Sequence, residues 1–217
     1  MFIVEKDPRS IASESYRTLR TNLQYSSFDE EYKVIVVTSA EPGEGKSTTA
    51  GNLALSIAEG DKKVVLIDCD LRKPSLHKKF EISNTAGLSD VIVGKESISV
   101  VGHRYNNNLT VLTSGKIPPN PSEMLGSKSM KALIDALKKV FDYVILDTPP
   151  VQAVTDAQIL STRADGTLLV IRAEKTKKDS VVNSINLLKK VNANIIGTIL
   201  NGVDTKRNSY YYYYGDK

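Results

Sequence analysis

Three short stretches carry residues whose types and spacing suit phosphate chemistry. The first is Ala40-Glu41-Pro42-Gly43-Glu44-Gly45-Lys46-Ser47-Thr48, set between an apolar run, Val34 to Val37, and an alanine-rich segment with helical spacing. A glycine-bearing loop between a strand and a helix start turns backbone N–H groups and the positive helix end toward an anion. Lys46 then reaches the β- and γ-phosphates of a nucleoside triphosphate, and the Ser47 hydroxyl sits on Mg²⁺. Ala40 stands where the usual spacing has its first glycine, so the strand–loop–helix setting carries the reading more than the pattern does.

The second stretch follows the apolar run Lys63 to Ile67 and reads Asp68-Cys69-Asp70-Leu71-Arg72-Lys73-Pro74. Carboxylates two residues apart point to opposite faces of a continuing strand, but to one pocket if the chain bends there. Ligands of open α/β sheets bind beyond the carboxyl ends of the strands. A cap explains one aspartate; two with an arginine favour chemistry. The third stretch, Tyr143 to Leu146 followed by Asp147-Thr148-Pro149-Pro150, supplies the strand-end carboxylate that a Mg²⁺–phosphate site needs behind it.

The elements that must position these residues alternate in kind. Residues 1–9 read as a loose lead-in, and Ser10 as the possible N-cap of a helix to about Tyr25, with Ala12, Tyr16, Leu19 and Leu23 in one stripe. Residues 33–39 form the first strand, with the loop and its helix running to about Glu59, and Lys63 to Ile67 form the second. Gly87 to Gly94 suggests a short helix, and Leu109 to Thr113 a third strand. Ser122 N-caps a helix to about Val140 that offers Met124, Met130, Leu133 and Leu137 to the core. Ala153 to Leu160 is a short helix, residues 167–172 a strand, and Lys177 to Val191 an amphipathic helix carrying Val181, Ile185, Leu188 and Val191. Asn194 to Leu200 is the last strand, ending at Asn201, which suits either an adenine edge or a turn. His77 and His103 read as surface residues. Strands alternating with helices predict an α/β domain with a mostly parallel sheet covered on both faces.

Composition bounds the rest. At 217 residues, 41% hydrophobic and 25% charged, the chain suits one soluble α/β domain with a sizeable core. No apolar stretch resembles a membrane span or a secretory signal. The single cysteine, Cys69, excludes an internal disulfide framework and suits a reducing compartment. A net charge of +4 spread along the chain gives no nucleic-acid stripe.

Two features lie outside the phosphate stretches. Glu14, Arg17 and Arg20 walk along one helix flank, either as a solvated charged face or as a ridge that docks on a neighbouring subunit. Tyr210, Tyr211, Tyr212, Tyr213 and Tyr214 stand in a row and hold five of the chain's 10 tyrosines. Such a terminal run is either an adhesive tail or a set of accessible hydroxyl acceptors. About ten residues separate the last strand from its middle, an extended reach of roughly 35 Å at most, enough for its own site or a neighbour's.

Together, Ala40 to Thr48, Ile67 to Pro74 and Val144 to Pro150 resemble the Walker A, Walker A′ and Walker B motifs of bacterial tyrosine kinases tied to capsule and exopolysaccharide production. The segment Ser114 to Pro121, the Glu14/Arg17/Arg20 ridge and the tyrosine-rich end match that family in order. The resemblance implies a P-loop NTPase fold of MinD/ParA type, with a single domain over 1–203, an oligomerisation helix over 10–25, and a flexible tail over 204–217. It implies ATP and Mg²⁺ as ligands, with Pro42 to Thr48 and Asn201 around the nucleotide and Ser47, Asp68 and Asp147 around the metal. Lys46, Asp68, Asp70 and Arg72 form the implied catalytic set, with Asp70 accepting or orienting the tyrosine proton and Arg72 stabilising charge or positioning the acceptor. Also implied are autophosphorylation of the tail, in trans within a ring of subunits, and protein substrates. The short form of the family is cytoplasmic. It works at the inner face of the plasma membrane through the cytoplasmic tail of a membrane adaptor, a polysaccharide co-polymerase, and is countered by a tyrosine phosphatase. The main alternative is a MinD/ParA-type switch ATPase, whose signature lysine is Glu41 here and whose C-terminal membrane helix is replaced by tyrosines. A small-molecule phosphotransferase of the same fold is a third reading, for which the tail is unneeded.

Overall fold

A computed structural model describes residues 1–25 and 32–204. Along the chain run α1 (Ile3–Lys6), α2 (Ile11–Tyr25), β1 (Val34–Ser39), α3 (Lys46–Ala58), β2 (Val64–Asp68), α4 (Leu76–Lys79), α5 (Leu88–Ile92), α6 (Ile98–Val101), β3 (His103–Arg104), β4 (Leu109–Leu112), α7 (Pro121–Gly126), α8 (Lys128–Leu137), β5 (Tyr143–Asp147), α9 (Asp156–Ser161), β6 (Gly166–Arg172), α10 (Lys178–Lys190) and β7 (Ile195–Asn201). The strands make one seven-stranded sheet in the order β3-β4-β2-β5-β1-β6-β7, parallel throughout except for the β3–β4 pair. The α/β fold class, with a mostly parallel sheet between helices, is therefore as the sequence predicts. No described helix is long and apolar enough to cross a membrane.

Central strands read as unbroken apolar runs because both of their faces are covered. Ile35 and Val37 of β1, Leu66 of β2 and Ile145 of β5 pack with α3 and the N-terminal helices. Their alternates Val34, Val36, Val65, Ile67, Val144 and Leu146 pack on the opposite side, with Leu88, Met130, Ile134, Leu137 and Leu160. Such a period of two fixes which strand-end side chains share a face, and this decides the site below.

Several local expectations need correction. The lead-in is not loose: Phe2 and Val4 are buried, and the Val4 N–H donates to Asn52 Oδ1 at 3.1 Å. Phe2 fills a notch in α3 that exists only because residue 51 is glycine, since a Cβ there would lie 2.2 Å from the Phe2 ring. It also packs on Phe80, with ring centroids 4.5 Å apart. In α2, the Ser13 N–H donates to Ser10 Oγ at 3.2 Å, as an N-cap requires, but Ala12 is exposed while Ser13 is buried.

A short antiparallel strand, β3, precedes the strand expected as third. One long helix was expected from Ser122 to Val140; two form instead. Asn120 caps α7 with Pro121 in its first turn, and Ser127 Oγ accepts from the Met130 N–H to start α8. Arg163 enforces the break by donating to the carbonyls of Leu125, Gly126 and Ser127 at the end of α7. In α10 the expected stripe is only partly used: Leu188 is buried, while Val181, Ile185 and Val191 are half-buried. His77 is half-buried rather than at the surface; His103 lies on β3 and is also half-buried.

Candidate functional site

The order β2-β5-β1 brings three strand ends together beside the start of α3. Asp68 and Asp147 are register partners on adjacent parallel strands. By parity both project from the face that carries Leu66 and Ile145, the face covered by α3. At Asp68 the strand ends and the chain bends, with the Asp70 N–H donating to Asp68 Oδ1 at 3.2 Å. The bend returns Asp70 to the same cleft, as two carboxylates serving one pocket require. Lys46 Nζ lies 3.1 Å from Asp70 Oδ2, 3.2 Å from Ser47 Oγ and 3.7 Å from Asp147 Oδ1.

One ammonium thus faces three buried or nearly buried carboxylates. Burial alone would lower the Lys46 pKa, but Asp147, Asp70 and Asp68 together hold it above its ordinary value. Burial, then the Asp147 charge, push Asp68 up to about 7, against the pull of the Leu76 and Ser75 N–H groups. Asp147 is likewise raised, first by burial; Lys46 and the Ser47 hydroxyl pull the other way. Both Asp147 oxygens are buried and accept no hydrogen bond of normal geometry among the described residues. A fully buried carboxylate met, among the described residues, only by the Lys46 ammonium at 3.7 Å and a neighbouring serine hydroxyl fits the outer shell of Mg²⁺, which keeps its waters and takes few protein ligands. Among the described residues no group of three or more His, Cys, Asp or Glu side chains could hold a metal, so phosphate oxygens would complete that shell. Asp68 differs from Asp147, because its Oδ2 accepts from Ser75 and Leu76 N–H groups, both at 2.9 Å.

The phosphate loop is braced from outside. Gly45 takes φ +93° at the α3 N-cap, a left-handed conformation that side chains rarely adopt, and a Cβ there would meet Asn201 Nδ2 at 2.1 Å. Asn201 Nδ2 donates to the Glu44 carbonyl at 2.9 Å, so the last strand clasps the loop. Glu44, only 2% exposed, accepts from the Glu41 N–H at 2.9 Å and from the Thr176 hydroxyl. Ser180 Oγ donates to Glu41. Pro42 and Gly43 stay exposed at the loop's tip, with Lys175 Nζ 3.8 Å from where a Gly43 Cβ would sit. Thr48 points elsewhere, taking a hydrogen bond from Lys79 Nζ at 2.9 Å. Thr176 and Ser180 escaped the sequence reading; two hydroxyls flanking a helix start were their only local signal.

Arg72 stands apart from the Lys46 cluster in its partners. Its Nε donates to Asp156 Oδ2 at 3.0 Å, and its Nη2 to Asp156 Oδ1 at 3.2 Å and Ser122 Oγ at 2.9 Å. Nothing in the local sequence around Asp156 or Ser122 marks either as a partner of Arg72. The Glu14/Arg17/Arg20 flank is largely engaged within its own chain. Arg17 Nη1 donates to the Pro8 carbonyl at 2.8 Å and to Glu14 at 3.1 Å, while Arg20 Nη1 donates to the Ser56 carbonyl at 2.6 Å. Glu14 remains exposed. Tyr210, Tyr211, Tyr212, Tyr213 and Tyr214 lie outside the described residues.

Comparison with known proteins places the fold in a family. Residues 31–209 match the ParA family model, described as the NUBPL iron-transfer P-loop NTPase. Tyrosine-protein kinase YwqD of Bacillus subtilis (strain 168) is 48% identical over 216 residues, covering 99% of this chain and 91% of the relative. The solved kinase domain of Escherichia coli tyrosine kinase ETK superposes with a TM-score of 0.91 at 37% identity, covering 100% of this chain and 85% of that one. The chimerical protein CapA2B2 gives a TM-score of 0.88 at 38% identity, over 92% and 88%. With a family match over residues 31–209 and likeness to tyrosine kinases over nearly its whole length, the chain belongs to the bacterial tyrosine-protein kinases, a branch of the ParA-type P-loop NTPases.

Proposed function

We propose that the chain is an ATP-dependent protein tyrosine kinase that phosphorylates its own tyrosine cluster, Tyr210 to Tyr214. The observation that carries the reading is the Lys46–Asp70 pair, 3.1 Å apart in a cleft where both side chains are largely buried. It sets a phosphate-binding ammonium beside a carboxylate able to receive or orient a hydroxyl proton. A tyrosine hydroxyl titrates near 10, so a carboxylate is a weak base toward it in the ground state. Phosphoryl transfer has a loose transition state, however, and positioning with electrostatic stabilisation supplies most of the acceleration. Lys46 and the loop N–H groups hold the β- and γ-phosphates, Asp70 orients the acceptor oxygen, and Asp68 fixes the bend that presents Asp70. Mg²⁺, held through Ser47 with Asp147 behind it, would neutralise phosphate charge.

In this reading residues 1–203 form the kinase domain and 204–217 the substrate tail. Subunits assemble into a ring through the helix over 10–25, Glu14 being its exposed acid, and each tail enters a neighbouring site. Five phosphotyrosines, at about −1.5 to −2 charges each, then repel the tail from a phosphate-filled cleft and loosen the ring. A membrane adaptor recruits the kinase to the inner face of the plasma membrane, a tyrosine phosphatase resets it, and the cycle governs capsule or exopolysaccharide synthesis and export.

The test is incubation of the purified chain with Mg-ATP and mass spectrometry of the C-terminal peptide. Phosphate on residues 210–214 that vanishes in Lys46→Met supports the kinase; nucleotide hydrolysis with an unmodified tail would instead indicate a switch ATPase. Mixing Lys46→Met chains with active chains lacking the tail separates the routes, because only transfer in trans labels the inactive chain. An equal particle mass before and after phosphorylation would sink the loosening of the ring.

A further inference from the structure

Three segments distant in sequence converge on Arg72: its own β2–α4 loop, the start of α7 through Ser122, and the start of α9 through Asp156. Asp156 is fully buried, whereas the Arg72 side chain is 38% exposed. The carboxylate takes the Nε and Nη2 edge of the guanidinium at 3.0 and 3.2 Å, a two-point grip that fixes the plane as well as the position. Ser122 Oγ accepts from Nη2 at 2.9 Å and donates to Asp156 Oδ1 at 2.6 Å, closing a three-membered network. Thr155 Oγ1 approaches Ser122 Oγ at 3.4 Å. No hydrogen bond among the described residues engages Nη1, so that edge is left for a ligand.

We propose that Asp156 and Ser122 are positioning residues that hold the Arg72 guanidinium as a platform for the acceptor tyrosine rather than as a clamp on the nucleotide phosphates. The inference rests on the kinase reading above. Its physical ground is charge balance. Lys46 sits among more carboxylates than it can neutralise, and serves the phosphates. Arg72 is already paired by a buried carboxylate, and a paired guanidinium has less attraction for a polyanion. What it retains is a flat polarisable face and spare N–H groups, which suit a neutral phenol by stacking and by hydrogen bonding to its oxygen. The grip comes from α9, which follows the Asp147 strand end, so acceptor and metal sides of the cleft are tied through one loop.

The experiment measures kcat and KM for a synthetic peptide of residues 204–217, together with the Kd of a fluorescent N-methylanthraniloyl ATP analogue. The chains compared are the wild type, Asp156→Asn, Arg72→Lys, their double variant and Ser122→Ala. The expected result is a peptide KM raised about tenfold by either single change at Asp156 or Arg72, with the double variant no worse than Arg72→Lys alone, as for residues acting through one another. Ser122→Ala raises it about threefold, and the analogue Kd moves less than twofold throughout. Additive effects in the double variant overturn the proposal, and so does an analogue Kd that shifts as far as the peptide KM. If thermal melting shows Asp156→Asn to be unfolded, Ser122→Ala decides: a wild-type peptide KM there overturns it. A folded wild-type chain that binds the analogue yet phosphorylates neither peptide nor tail refutes the kinase reading itself, a result separate from all of these.

Discussion

The two flanks of the cleft are built on opposite electrostatic plans. On the nucleotide flank, Lys46 faces Asp68, Asp70 and Asp147, and neither buried oxygen of Asp147 has a hydrogen bond of normal geometry among the described residues. On the Arg72 flank, each charge has its partner, and the hydrogen bonds close on one another. An unsatisfied buried carboxylate costs free energy, which a cation and phosphate can return on binding. A satisfied network holds shape whether or not a ligand is present. One flank is thus poised to change state, and the other is pre-organised.

The strongest challenge to that contrast is Lys46→Met. Removing the ammonium that faces the three carboxylates should cut tyrosine phosphorylation by about 10²–10³-fold, read by quantitative phosphopeptide mass spectrometry; a loss under tenfold would mean that the carboxylates, not the lysine, organise the flank. Next is Gly45→Ala, which meets both the φ of +93° and the Asn201 amide. Strain of about 1–3 kcal/mol should appear as a loss of nucleotide affinity of about 5- to 150-fold by calorimetry. Adding Asn201→Ala should restore only part of it, because the backbone conformation remains unfavourable.

A pH series sharpens the comparison. In the nucleotide-free, metal-free chain, Asp68 binds its proton up to about pH 7 when folded, against 3.8 for the ordinary group. The folded state therefore holds more protons than the unfolded one across that window, and stability falls as pH rises from about 4 to about 7. Asp147 is shifted in the same direction. Thermal melts in a chelator should show this slope, and Asp68→Asn should flatten it; equal slopes would remove the charge crowding from the account. The smallest effect is expected of Thr176→Val, which takes one hydrogen bond from buried Glu44. It should cost about 1–2 kcal/mol of stability by chemical denaturation, with a few-fold weaker nucleotide binding.

What could be read from sequence tracks how local each feature is. Asp68 and Asp147 end apolar runs and Lys46 and Ser47 open the helix after a glycine loop, and parallel strands bring such positions together by rule. Asp156 and Ser122 meet Arg72 from elements far apart in sequence, so neither had a local signature of that partnership, although Ser122 reads as a helix start. The burial of Phe2 depends on the missing Cβ at Gly51, a complementarity between distant residues that no periodicity reports. The division between α7 and α8 was closer to legible, since Pro121 and Ser127 are conventional start signals. Its enforcement by Arg163 was not.

The sheet order has a consequence for biosynthesis. β5, which carries Asp147, is inserted between β1 and β2 although it follows them in the chain by more than the length of either intervening helical layer. Until that strand arrives, β1 and β2 have no mutual partner, and the phosphate loop has neither its acidic floor nor a fixed distance to Asp68. A ribosome-bound chain cut short before Tyr143 therefore cannot assemble the cleft, however well its early helices form. Nucleotide capture becomes a late event in the life of the nascent polypeptide, and a report that the middle of the sheet has closed.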